Sequence, residues 1–214
     1  MRYHETQKKA FLHIPRTAGR TIYQNWPGSK EVTFIAKRDD DLGSTHPQHQ
    51  SRNTLCNAHP FLHDYEWFTV VRNPYYRVIS QWIWCLQVLG LNKQEIEDTF
   101  HILPYAVLNA HDFEERAFRG YDIPDILLMI SSIRGPLKAA NSIRLAEQCD
   151  KVFKYESIHE VEEYLGVSFT KRVPDVAAKD HYSTYDRFMT SAYIGRINRF
   201  YKEEFKQFGY EMIA

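Results

Sequence analysis

Apolar residues in this chain come in short dense blocks, separated by stretches where the spacing changes to the three-and-four pattern of helices. Lys9–Ile14 ends in an apolar run and predicts a first strand; Thr17–Trp26 predicts a helix closed by Pro27 and Gly28. Glu31–Ala36, EVTFIA, predicts a second strand. Lys37–Asn53 is polar, holds KRDDD and HPQHQ, and has no apolar period, so it predicts a long surface loop. Thr54–Ala58 predicts a short strand. Glu66–Val71, EWFTVV, is the clearest buried-strand signal. Beyond it Pro74 suits a first helical turn, and Val78, Ile79, Trp82, Ile83, Leu86 and Leu89 keep helical spacing until Gly90. Leu91–Gly135 predicts mostly helix with breaks at Pro104, Gly120 and Pro124, an insertion forming one wall of a cleft. Lys151–Tyr155 predicts a third short strand, Ile158–Leu165 a helix with Gly166 behind it, and Lys171–Asp180 a charged connector. Tyr185–Phe208 predicts a closing helix rich in Phe and Tyr, ended by Gly209.

Two of these blocks repeat one order of parts: strand, turn with arginine, helix. Arg16 occupies the first turn and Arg72 the second. Such units predict an α/β fold in which parallel strands deliver their C-terminal ends to one ligand. Without an internal repeat or a composition break, the 214 residues read as a single domain, 1–214.

Composition narrows the ligand. Lys plus Arg equals Asp plus Glu at 27 each, so no global field attracts nucleic acid or an acidic membrane, and any anion site has to be local. An aromatic share of 14% suits either aromatic-lined pockets or a Tyr-rich core. Cys56, Cys85 and Cys149 are odd in number and widely spaced, which argues against a disulfide framework or a zinc module and for a reducing compartment. The polar N-terminus lacks the apolar core of a secretory signal and no apolar stretch spans a bilayer, so the expected location is cytoplasmic, with no membrane partner.

The first turn carries the chemistry. In Phe11–Ile22, FLHIPRTAGRTI, an apolar segment ends at Pro15, and Thr17, Ala18, Gly19 and Thr21 are small enough for backbone to approach a ligand. Arg16 and Arg20 add positive charge. Free N–H groups beside cations form an anion site of the kind that holds phosphate and sulfate esters; an ordinary turn with two solvated arginines is the plain alternative. Gly19-Arg20-Thr21 imitates the end of a nucleotide-triphosphate P-loop, but Ile14 stands where its first glycine belongs and arginine replaces its lysine.

Together, His13-Ile14-Pro15-Arg16-Thr17-Ala18-Gly19-Arg20-Thr21 and Arg72-Asn73-Pro74-Tyr75-Tyr76-Arg77-Val78-Ile79-Ser80 resemble the two nucleotide-binding loops of sulfotransferases. These enzymes use 3′-phosphoadenosine 5′-phosphosulfate (PAPS) as co-substrate, and the nearest branch holds carbohydrate O-sulfotransferases of the heparan sulfate 2-O-sulfotransferase type. KVFKYESI and FYKEEFKQFGYE are more weakly similar to that family's third core strand and terminal helix. The resemblance implies a P-loop-like three-layer α/β/α fold with a central parallel sheet and additional helices. It also implies transfer of a sulfuryl group to a hydroxyl of a small-molecule or glycan acceptor, without a metal. Thr17, Ala18, Gly19, Arg20 and Thr21 would hold the 5′-phosphosulfate through N–H groups and hydroxyls, and Arg72 and Ser80 the 3′-phosphate. Arg16 stands at the family's lysine position, where charge develops on the bridging oxygen; a guanidinium keeps the charge but presents a planar fork of different size. For Arg20, clamping phosphate and pointing to solvent both remain open.

Sulfuryl transfer also needs a base for the acceptor proton. His59, in Asn57-Ala58-His59-Pro60-Phe61, precedes the second phosphate strand, where the histidine-using branch of the family often has a Gly-His segment. Its imidazole can accept a proton near neutrality; the plain alternative is a loop histidine satisfied by backbone. His63, Asp64 and Asp39–Asp41 are runner-up bases. His59 and His63 lack the HExxH context of a zinc pair, and Pro60 separates them. Two other readings of the chain are a P-loop-like nucleotide kinase and a catalytically silent nucleotide-binding homologue.

Overall fold

The computed structural model describes residues 1–32, 50–88, 92, 139–170 and 189–214. The expectations for most of Glu31–Ala36 and Lys37–Asn53, for the Leu91–Gly135 wall, for the Lys171–Asp180 connector and for the start of the closing helix lie outside the described residues. In chain order the elements are β1 (Arg2–His4), β2 (Lys9–Phe11), α1 (Gly19–Asn25), β3 (Lys30–Glu31), α2 (Arg52–Ala58), a 3-10 turn (Pro60–Asp64), β4 (Glu66–Val71), α3 (Pro74–Val88), α4 (Ala139–Ala146), β5 (Lys151–Lys154), a 3-10 turn (Tyr155–Ser157), α5 (Ile158–Leu165), α6 (Ser191–Phe200) and α7 (Lys202–Phe208). They divide into two compact units, Met1–Asn73 with Ala140–Val173, and Pro74–Ala139 with Pro174–Ala214.

The first unit is mixed α/β around a five-stranded sheet of order β3-β1-β2-β4-β5. Its centre, β2-β4-β5, is parallel; β1 is antiparallel to both β2 and β3. The sheet is therefore mixed, where the sequence led us to expect a parallel one. Arg2–His4 carries no apolar alternation, and what makes it a strand is the tight return through Lys8, at φ 52, that brings Arg2 opposite Phe11.

β4 lies in the sheet interior, which is why its residues run apolar without alternation. Phe68 and Val70 join Phe11, Ile22, Trp26, Val161 and Leu165 in one core, so α1 and α5 cover that face. Trp67 alternates to the other face, where its indole N–H donates to the Leu62 carbonyl at 3.1 Å and the Arg52 guanidinium lies 5.5 Å from its ring. The segment expected as a short strand, Thr54–Ala58, is instead the body of α2: the Ser51 hydroxyl accepts from the Thr54 N–H at 3.2 Å and starts a helix that buries Leu55 and Cys56.

In the second unit, the closing helix is two helices rather than one. Thr190 caps α6 by accepting from the Tyr193 N–H at 3.2 Å, and the chain leaves helical geometry at Tyr201 before α7 begins. α3 packs on this pair: Tyr193 donates its hydroxyl to the Tyr75 carbonyl at 2.6 Å, and the Tyr75 and Phe205 rings are 4.9 Å apart. Arg77 is buried here with Glu204, its Nη2 reaching both carboxylate oxygens at 2.8 Å. Among the described residues no helix is long and apolar enough to cross a membrane.

Candidate anion-binding site

The first turn is tied to the sheet before it leaves it. The Leu12 N–H donates to the Phe68 carbonyl at 2.9 Å, and the Thr69 hydroxyl donates to the Leu12 carbonyl at 2.7 Å. Thr17 is fully buried and donates its hydroxyl to the Ile14 carbonyl at 2.8 Å, so its side chain closes the turn. What Thr17 can offer a ligand is then its backbone N–H.

Two non-glycine residues of this turn, Arg16 at φ 66 and Ala18 at φ 72, sit in the left-handed region on either side of Thr17. Each costs about 1–2 kcal/mol. Left-handed residues of this kind are a component of the backbone concavities that bind anions. The expected helix start at Thr17 moves to Gly19 for the same reason: Ala18 is its left-handed cap, and the Ile22 N–H donates to Ala18 at 3.1 Å.

Gly19 is required by a neighbour. A Cβ built on it would lie 1.9 Å from the His13 imidazole. That ring is held by Phe11, stacked at 5.8 Å and 27°, and by Tyr23, edge-on at 5.4 Å. His13 therefore packs the turn from behind. Burial raises the pKa of the Tyr23 hydroxyl, with Glu31 adding to the effect, and keeps it neutral. Arg20 is exposed and Thr21 partly buried.

The second turn leaves the adjacent strand. β4 pairs parallel to β2 with Phe11 opposite Phe68, and to β5 with Val71 opposite Lys154. Arg16 and Arg72 consequently follow the C-terminal ends of neighbouring parallel strands, which lie about 4.8 Å apart in a sheet. Arg72 is only 1% exposed, and its guanidinium carbon is 4.4 Å from the centre of the Tyr155 ring. The next residue, Asn73, donates its N–H to Glu156 at 3.0 Å.

His59 ends α2 and opens the following 3-10 turn. Its N–H donates to Leu55 at 2.8 Å, its carbonyl accepts from Leu62 at 3.0 Å, and its half-buried ring meets Phe61 edge-on at 5.9 Å. Phe61 in turn lies 5.3 Å from Tyr3, so the contacts described for His59 run to this aromatic cluster. Ser80 is fully buried on α3, in the second unit. Among the described residues no three His, Cys, Asp or Glu side chains converge as a metal site would need.

No protein-family model matches the chain, and neither a curated protein nor a solved structure matches it significantly. A turn with left-handed residues Arg16 and Ala18 after one strand end and the buried Arg72 guanidinium after the next suit a ligand with two separated anionic groups. Tyr155 escaped the sequence reading. Its position as the last residue of the predicted strand Lys151–Tyr155 was the available signal, since a residue there reaches the same sheet end as Arg72.

Proposed function

We propose that this chain is a sulfotransferase that moves a sulfuryl group from 3′-phosphoadenosine 5′-phosphosulfate to a hydroxyl of a small-molecule or glycan acceptor. The observation that carries the reading is the placement of the two arginine turns on adjacent parallel strands, β2 and β4. In open α/β sheets ligands bind beyond the strand ends, and the two sequence motifs resemble the phosphosulfate and 3′-phosphate loops of that family. The left-handed Arg16 and Ala18 support the fit of the first turn to the phosphosulfate, and the buried Arg72 that of the second to the 3′-phosphate. Coverage of one sheet face by α1 and α5, and of Trp67 on the other by Arg52 and Leu62, supports a P-loop-like three-layer arrangement. The free thiols Cys56 and Cys149 support a cytoplasmic location.

In this mechanism the N–H groups of the 17–21 turn hold the 5′-phosphosulfate, and Arg72 holds the 3′-phosphate. The acceptor oxygen attacks sulfur in line, forming the new S–O bond as the sulfur to bridging-oxygen bond breaks. His59 takes the acceptor proton, and Arg16 stabilises the charge that collects on the bridging oxygen of the departing nucleotide. The role that the resemblance gives Ser80 stays an expectation from sequence alone.

Calorimetry with 3′-phosphoadenosine 5′-phosphate tests the nucleotide site. We expect binding that Arg72→Ala weakens at least about tenfold, the loss of one charge-assisted contact; absence of binding, or an unchanged Arg72→Ala, refutes it. Turnover with labelled sulfate donor across a panel of hydroxylated acceptors tests the reaction, and full activity in His59→Ala removes that residue as base. Nucleotide affinity without transfer, converted to transfer by Arg16→Lys, identifies the silent homologue instead.

A further inference from the structure

The 3-10 turn that follows β5 belongs to neither motif turn, yet it contacts Arg72 and Asn73 of the second one. Val71 pairs with Lys154, so the next residues of the two strands, Arg72 and Tyr155, leave the sheet side by side. The Arg72 guanidinium lies 4.4 Å from the Tyr155 ring centre, and the Asn73 N–H is taken by the Glu156 carboxylate at 3.0 Å. Arg72 is 1% exposed, so its charge sits away from bulk water, where the face of an aromatic ring attracts it most strongly. A guanidinium held over a ring at this distance has less freedom to lose when an oxyanion docks on it. Glu156 acts one residue further on: by accepting from Asn73 it sets the backbone direction from which Arg72 projects.

We propose that Tyr155 and Glu156 are positioning residues for Arg72, Tyr155 through its ring and Glu156 through the Asn73 N–H, and that they set the selectivity of this site for nucleotides bearing a 3′-phosphate. The proposal rests on the sulfotransferase reading above and adds a third strand end to a site that the sequence motifs place on two. Tyr155 and Glu156 touch no reacting atom in this scheme. They act on affinity, through the shape and stiffness of the Arg72 turn.

The test compares two probes on the full chain by calorimetry: 3′-phosphoadenosine 5′-phosphate and adenosine 5′-phosphate, which lacks the 3′ group. Their affinity ratio is a readout that general loss of stability does not move. Tyr155→Phe keeps the ring and is expected to hold the wild-type ratio within about twofold, whereas Tyr155→Leu is expected to lower it about 5- to 30-fold, the range for a desolvated cation over a ring. Glu156→Gln, which retains an acceptor for Asn73, should hold the ratio that Glu156→Ala lowers. Replacement of Tyr155 by phenylalanines of increasing ring fluorination keeps the shape and weakens the face charge, so it covers the case in which Tyr155→Leu does not fold. The ratio should fall with each fluorine. A flat fluorination series, or a Leu variant with the wild-type ratio, overturns the inference while an Arg72→Ala defect leaves the nucleotide site standing. Wild-type protein that binds neither probe overturns the underlying reading and this inference together.

Discussion

Gly19→Ala is the sharpest probe of the first turn, because the sign of its effect decides the matter. Gly19 opens α1 at a helical backbone, so its φ tolerates any residue, and alanine at a helical position is ordinarily favoured over glycine by up to about 1 kcal/mol. Against that gain stands the His13 imidazole. The added Cβ would lie 1.9 Å from its Nε2, where non-bonded atoms rest near ~3.5 Å. Either the ring or the turn has to move by more than an ångström. Moving the ring forfeits its contacts with Phe11 and Tyr23, each worth about 0.5–1.5 kcal/mol, and forcing the turn carries the ~1–3 kcal/mol of an overpacked core. After the alanine gain is subtracted, we expect a net loss of about 1–3 kcal/mol, seen as a fall in melting temperature of roughly 2–12 °C. The measurement is thermal and urea unfolding of wild type, Gly19→Ala, His13→Ala and the double variant. With the ring gone, Gly19→Ala should become neutral or stabilising, giving a coupling energy above about 1 kcal/mol. Unchanged or raised stability of Gly19→Ala in the wild-type background, or an equal cost in both backgrounds, refutes the packing argument.

Three further outcomes follow from the burial of charge, thiol and hydroxyl groups. Glu204→Leu alone strands the Arg77 guanidinium in the second unit and should cost about 3–5 kcal/mol in urea unfolding, whereas the double variant Arg77→Met with Glu204→Leu should recover most of it; equal losses in the two would show that the ion pair is not what the site depends on. Burial pushes the Cys149 thiol up to about 12, above its ordinary 9.0, and the Tyr201 hydroxyl up to about 12 from 10.0. The folded state holds these protons more tightly than the unfolded one. Their contribution to stability is therefore complete below about pH 9 and lost as pH rises toward 12, which melting temperatures from pH 8 to 11 will report. Native Cys149 should correspondingly resist iodoacetamide at pH 8 until urea exposes it, as peptide mapping can follow.

The two arginine turns were legible in the chain because their signals are local. An apolar block that ends in Pro15 or Pro74, with small residues or a helical period behind it, announces a strand end and a helix whatever surrounds it. Glu66–Val71 emerged as the buried strand at its predicted bounds, and Ile158–Leu165 as the helix stopped by Gly166. Arg2–His4 was not legible, since a polar triplet becomes a strand only when a hairpin sets it beside Phe11. Thr54–Ala58 was misread as a strand because five residues hold too little period to tell the two apart, and the Ser51 cap decided for helix.

What tertiary structure alone decided is where the charges went. Arg77 and Arg72 stand close together in the sequence, and nothing local separates them. Long-range partners do: Arg77 is buried against Glu204 of α7 in one unit, and Arg72 lies over Tyr155 at the end of β5 in the other. His13 likewise reads as one histidine among 10 until folding sets it against Gly19, and the cost of a misplaced Cβ is what makes that glycine necessary. Turn chemistry is written in consecutive residues. The environment of a side chain depends on partners brought together by strand pairing and helix packing, and this is why the order of parts could be read from the chain while the setting of each charged group had to wait for the fold.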